Sequence, residues 1–146
     1  MDQTIAQIIP IVQLVLGSLM KVGDAGLVGK LREAGALGKF LSEAQEKFKG
    51  NALVEGLLKA LPDQIGEMGQ SFDVKHFDVL QTTQALGGLD GILKDSGEQG
   101  KQVKQFIYEL AERFASAAGG GIFGSGQKIS EAESAFLSDL KGRLGL

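Results

Sequence analysis

The clearest alternation of apolar and polar positions lies in residues 101–146. Val103, Phe106, Ile107, Leu110, Ala111, Phe114 and Ala118 recur at three- and four-residue steps, which places them on one face of an α-helix. Lys104, Gln105, Glu109, Glu112 and Arg113 fall on the other side. Glu109 and Arg113 stand four apart in the favourable order, a pairing worth roughly 0.2–0.5 kcal/mol. Upstream, Ser96-Gly97-Glu98-Gln99 has the form of a capping box and predicts the helix start. Ser130-Glu131-Ala132-Glu133 predicts a second start, with the Ser130 hydroxyl accepting from the Glu133 amide and the Glu133 carboxylate from the Ser130 amide. Phe136, Leu137, Leu140 and Leu144 continue this helix as an apolar stripe, and Gly145 ends it. The other helices are expected to gather around this pair.

Upstream, residues 4–22 form the most hydrophobic part of the chain. Ile5, Ile8, Ile9, Val12, Leu16, Leu19 and Met20 keep helical spacing, while Ile11, Leu14 and Val15 widen the stripe to most of the circumference. Pro10 lacks an amide proton, so the helix begins there or kinks there. Leu27, Val28, Leu31, Ala34, Leu37, Leu41, Ala44 and Phe48 predict a helix that Gly35 and Gly38 bend or split. Gly50-Asn51 mark a stop and a new start, followed by a short helix on Leu53, Val54, Leu57, Leu58 and Leu61 that ends before Pro62. Residues 62–70 have room for one or two turns around Ile65 and Met68. Asp73 is the expected N-cap of a helix through about Ala85, with a bend at Gly87-Gly88 before Leu89, Ile92 and Leu93. No segment alternates with period two over a useful length. The expected fold is all-α: a single bundle-like domain over residues 1–146, with six or seven helices.

Composition changes this picture in two ways. The 22 glycines are about twice the average share of roughly 7%, and several fall inside helical patterns. Each costs roughly 0.5–1 kcal/mol relative to Ala, so close approach of neighbouring helix backbones is expected at these positions. The absence of Cys removes thiolate chemistry, disulfides and Cys-based zinc sites. A net charge of -3 with mixed signs offers no basic footprint for nucleic acid, and one Tyr with no Trp leaves little surface for stacking bases.

Residues 106–146 resemble the TerB-like (tellurite-resistance-type) helical domains. The residues that carry the resemblance are Ile107-Tyr108-Glu109-Leu110-Ala111-Glu112, Lys128-Ile129-Ser130-Glu131-Ala132-Glu133, Phe136-Leu137 and Leu144-Gly145-Leu146. The resemblance implies an all-helical bacterial cytoplasmic domain associated with stress or envelope-related complexes. The chain departs from the family pattern between the two helices. Where members carry an acidic turn, it has the longer Ala118-Gly119-Gly120-Gly121-Ile122-Phe123-Gly124-Ser125-Gly126-Gln127, with no aspartate. An acidic metal site of the family therefore does not carry over. Glu131 and Glu133 match, but both are accounted for as carboxylates at a helix start.

Candidate chemistry is sparse. Residues 119–124 fit G-x-G-x-x-G, yet a helix rather than a strand precedes them, so the dinucleotide context is missing. Gly126 is followed by Gln127-Lys128, which fails the Walker A pattern. His76 is the sole imidazole, with Asp73 three residues away, an arrangement commoner for a surface histidine than for a base. Asp90, Asp95 and Glu98 miss the calcium-loop spacing. No cofactor, small-molecule substrate or catalytic constellation is indicated. Ile122 and Phe123, two large apolar residues among glycines, either tuck into the core or form a contact point for a partner or a second copy.

The sequence thus predicts a non-enzymatic interaction or scaffold domain, and the resemblance implies that it is bacterial, cytoplasmic and stress- or envelope-associated. Its contacts would be made by apolar helix grooves and the glycine-rich Ile122-Phe123 loop. One alternative is a peripheral membrane protein that lays residues 4–22 on the bilayer surface. Another is an acidic metal-responsive module using Glu131 and Glu133.

Overall fold

The computed structural model describes residues 3–22, 36–71, 77–118 and 131–146. Its longest apolar stretch forms α1 (Gln3–Val22), which is the hub of the molecule. It packs against α3 (Ala52–Ser71), α4 (Val79–Leu93), α5 (Gly97–Ala118) and α6 (Glu131–Leu144). Ile5, Ile8, Ile9, Ile11, Val12, Val15, Leu16 and Leu19 are all buried, whereas Gln3, Ala6, Gln7 and Pro10 face solvent. The wide apolar stripe is what four neighbours require, so the bundle gathers around α1 rather than around the C-terminal pair. The remaining helix, α2 (Ala36–Lys47), lies on α5 and α3. Among the described residues the fold is all-α and bundle-like, with six helices and no strand.

Both prolines sit inside helices: Pro62 against the expectation that the helix ends before it, and Pro10 against a start at that residue, leaving the other expected role, an interior position. α1 starts at Gln3 and passes through Pro10, and α3 passes through Pro62 and continues to Ser71. An interior proline costs about 3 kcal/mol through its lost amide bond and ring clash. Both rings are exposed, and at Pro10 the carbonyl it leaves without a donor belongs to the equally exposed Ala6, where water can take the vacant place. In α3 the completely buried Leu57 and Leu61 stabilise the helix by roughly 1.5–3 kcal/mol each, enough to offset the break.

Caps follow the sequence at some ends and depart from it at others. Gly50 takes φ 90° after α2, and the buried Asn51 opens α3 with its Oδ1 accepting from the amides of Leu53 (3.0 Å) and Val54 (3.1 Å). The N-cap of α4 is Asp78, whose Oδ1 accepts from the Leu80 amide at 2.9 Å. The expected cap Asp73 lies outside the described residues. α4 runs through Gly87-Gly88 as one helix. Nothing comes within 4 Å of where a Cβ would stand at Gly38, Gly87, Gly88, Gly91 or Gly142, so close packing does not account for these glycines. It does account for Gly56, where a Cβ would run into the Ile5 side chain of α1, and for Gly100, where it would meet Leu93 at 3.2 Å.

Two polar ties fix the helices relative to one another. Asn51 Nδ2 donates to the Gln99 carbonyl (3.2 Å) and to Gln102 Oε1 (2.8 Å), joining the α2–α3 turn to α5. In the core, the buried hydroxyls of Ser18 and Thr82 are 2.7 Å apart, and Thr82 donates to the Leu14 carbonyl at 3.0 Å. On the α2–α5 face the Phe106 ring stacks on Phe40 at 5.7 Å and takes Phe48 edge-on at 6.1 Å. The charges beside this cluster pair between helices: Lys47 with Glu109 and Glu43 with Arg113, both at 2.7 Å. The Glu109–Arg113 pair expected within α5 is therefore replaced by two cross-helix pairs.

Candidate functional site

α5 buries Val103, Phe106, Ile107, Leu110, Ala111, Phe114 and Ala115, which turns Gln105, Tyr108, Glu109 and Glu112 toward the surface at i, i+3, i+4 and i+7. α6 returns along α5, buries Leu137, Leu140 and Leu144, and ends at Gly145 with φ 74°. The Leu146 amide donates to the Lys141 carbonyl (3.0 Å) and the Gly145 amide to the Gly142 carbonyl (3.1 Å), the two bonds of a Schellman motif. This fold-back brings Leu146 beside Lys141, opposite Tyr108. Gln105, Tyr108, Glu109, Glu112, Lys141 and Leu146 line the resulting groove, about 500 Å³ and open to solvent.

The groove is apolar at its walls and charged at its rim. Leu146 is 45% exposed, one of two large hydrophobic side chains left in solvent among the described residues, the other being Leu80 at 66%. Lys141 Nζ lies 5.9 Å from the centre of the Tyr108 ring, within reach of a cation–π contact. Partial burial, and then the neighbouring Glu112 carboxylate, push the Tyr108 hydroxyl pKa above its ordinary value. Both causes disfavour a phenolate, so at neutral pH Tyr108 presents an apolar ring and a hydrogen-bonding hydroxyl. A second, smaller groove of about 250 Å³ lies between α2 and α3, lined by Leu41, Ser42, Gln45, Glu55, Leu58 and Lys59.

Of the residues singled out in the sequence, Ile122, Phe123, the 119–124 loop, Ser130 and His76 lie outside the described residues. Glu131 and Glu133 are described, and they part company: Glu131 is exposed while Glu133 is buried at 3% exposure. Among the described residues, no three His, Cys, Asp or Glu side chains are grouped to hold a metal ion. Asp90 pairs with Lys104 and Glu98 with Lys101, so two of the three acids near the α4–α5 turn are matched by cations. The apolar side chains of α1 that would enter a bilayer surface face the other helices instead. No helix of the described residues is long and apolar enough to cross a membrane.

The groove residues were legible only in part. Gln105, Glu109 and Glu112 stand out as the polar side of α5, and Tyr108 as the one aromatic off its buried stripe. Lys141 and Leu146 carry no such mark, because their position depends on how α6 returns and on the turn at Gly145. Comparison of the chain with protein-family models, with curated proteins and with solved structures finds no match.

Proposed function

We propose that this protein is a non-enzymatic interaction domain that binds a protein partner through the α5–α6 hairpin. The observation that carries this reading is the open groove between Tyr108 and Leu146, set on a bundle where, among the described residues, Leu80 is the one other large apolar side chain left exposed. A solvated apolar wall with a charged rim is the anatomy of a contact surface: apolar residues supply area, and rim charges set orientation. Tyr108 packs against the hydrophobic core to which the buried Ile107 and Leu110 belong, so the groove is built on the interior of the bundle. In this reading Ile122 and Phe123, in the segment between the two helices, are further contact residues for a partner. The resemblance of residues 106–146 to TerB-like domains supports a bacterial cytoplasmic setting in a stress- or envelope-associated complex.

The test is affinity capture from the host cell with the full chain, Tyr108→Ala and Ile122→Ser/Phe123→Ser in parallel. Circular dichroism and ultracentrifugation monitor folding and self-association. Loss of a specific partner, or of self-association, from either variant with helical content unchanged is the expected result. Equal capture by all three chains overturns the reading.

A further inference from the structure

The α5–α6 groove also carries information about what it receives, an inference that rests on its reading as a partner site. Its aromatic face already holds a cation: the Lys141 ammonium at 5.9 Å from the Tyr108 ring centre. Lys141 is exposed, on a flexible four-carbon stem, and so is free to swing into solvent. The two rim carboxylates differ in their engagement. Glu109 is committed to Lys47 at 2.7 Å, whereas no ion pair among the described residues involves Glu112. Glu112 stands four residues after Tyr108, one helical turn along the same face, and its charge is felt at the Tyr108 hydroxyl. Leu146 supplies an apolar wall beside the ring. An aromatic face, an uncommitted carboxylate and an aliphatic wall are the three complements of an arginine side chain.

We propose that the α5–α6 groove recognises an arginine side chain of a partner protein, whose guanidinium takes the place of Lys141 on the Tyr108 ring and pairs with Glu112. Arginine suits this geometry better than lysine. Its planar guanidinium stacks on a ring while presenting a fork of donors to a carboxylate, and it is more weakly hydrated than an ammonium. Lys141 acts as a resident cation that keeps the ring face occupied until an arginine displaces it. Exchange of one cation for another leaves the charge at the ring face unchanged and adds an ion pair with Glu112.

Tyr108 is the one tyrosine of the chain, and there is no tryptophan, so intrinsic fluorescence reports on this groove directly. The full chain is titrated with N-acetyl-arginine amide and, in parallel, with N-acetyl-citrulline amide, its neutral counterpart of nearly the same shape, at matched ionic strength. A saturable change with arginine in the millimolar range, and none with citrulline, is the expected result. Glu112→Gln should weaken the arginine response by about 5-fold, and Lys141→Met should tighten it by about 3-fold, the size expected for exposed charge and cation–π contacts. Both positions are exposed, so the variants keep the fold, which circular dichroism verifies. An equal response to citrulline, no saturable response to arginine, or an unchanged response in Glu112→Gln overturns the proposal. If arginine fails while Tyr108→Ala still loses a partner, the choice of arginine is wrong and the interaction reading stands. If arginine binds but neither Tyr108→Ala nor the loop variant changes capture, the recognition stands and the interaction reading fails.

Discussion

The Ser18 and Thr82 hydroxyls meet 2.7 Å apart in the interior of the bundle, joining α1 to α4. Because Thr82 donates its proton to the Leu14 carbonyl, Ser18 must be the donor to Thr82 Oγ1. Removing Thr82 strands the Ser18 donor, whereas removing both hydroxyls leaves no buried donor behind. Thr82→Val should therefore cost about 1–3 kcal/mol, and Ser18→Ala added to it should cost less than the sum of the two single changes. Urea unfolding of the two single variants and the double variant gives the coupling, and strict additivity would contradict the relay.

Asn51 caps α3 with its oxygen and ties it to α5 with its nitrogen, so two substitutions separate the two tasks. Asn51→Ser retains a capping oxygen but loses both donors to Gln99 and Gln102, without burying a charge. Asn51→Ala loses everything, and should cost about 1 kcal/mol more than Asn51→Ser, the worth of an N-cap. Equilibrium denaturation of the two variants checks the order.

The glycines divide into those with neighbours and those without. Gly87→Ala and Gly88→Ala meet open space in mid-helix and should each raise stability by about 0.5–1 kcal/mol. Gly56→Ala should lower it, because Ile5 of the central helix occupies the place of the new methyl group. Thermal melting distinguishes the opposite signs without any knowledge of function.

The Tyr108 hydroxyl titrates above the ordinary tyrosine value of about 10, through burial first and the Glu112 charge second. A raised folded-state pKa contributes stability that is complete below the unfolded value and is lost as pH rises through the folded one. The protein should therefore lose stability in alkaline solution above about pH 10, and Tyr108→Phe should remove this component of the loss. Ultraviolet titration of this lone tyrosine should give a midpoint above the ordinary value, lowered by Glu112→Gln. A midpoint at the ordinary value would contradict the combined effect of partial burial and the Glu112 charge on this hydroxyl.

Helix existence was readable at every described element, because each buries a stripe that repeats at three and four residues. Val103, Phe106, Ile107, Leu110, Ala111 and Phe114 were assigned to one face and are all buried. Gly50-Asn51 and Gly145 were readable as helix ends because positive φ and side-chain capping are local demands. Pro62 misled, since a local rule predicts a helix end there while the burial of Leu57 and Leu61 outweighs it. The reading of glycine as a close-packing residue failed at Gly87, Gly88 and Gly91, where no neighbour is present. Glu109 and Arg113 were suited to each other along α5, yet α2 brings Lys47 and Glu43 into better reach.

By itself, then, the chain determined an all-helical fold, most of the buried face of the described helices (Leu80, expected inward, is 66% exposed) and several of their caps, all consequences of spacing and short-range hydrogen bonding. Tertiary structure alone decided that α1 is the hub, that Ser18 finds Thr82 at a separation of 64 residues, and that Tyr108, Lys141 and Leu146 share a groove. These arrangements depend on which stripes are wide enough to take several partners and on how the returning helix lies. Periodicity along one helix says which side is apolar, but carries no term for the helix that will cover it.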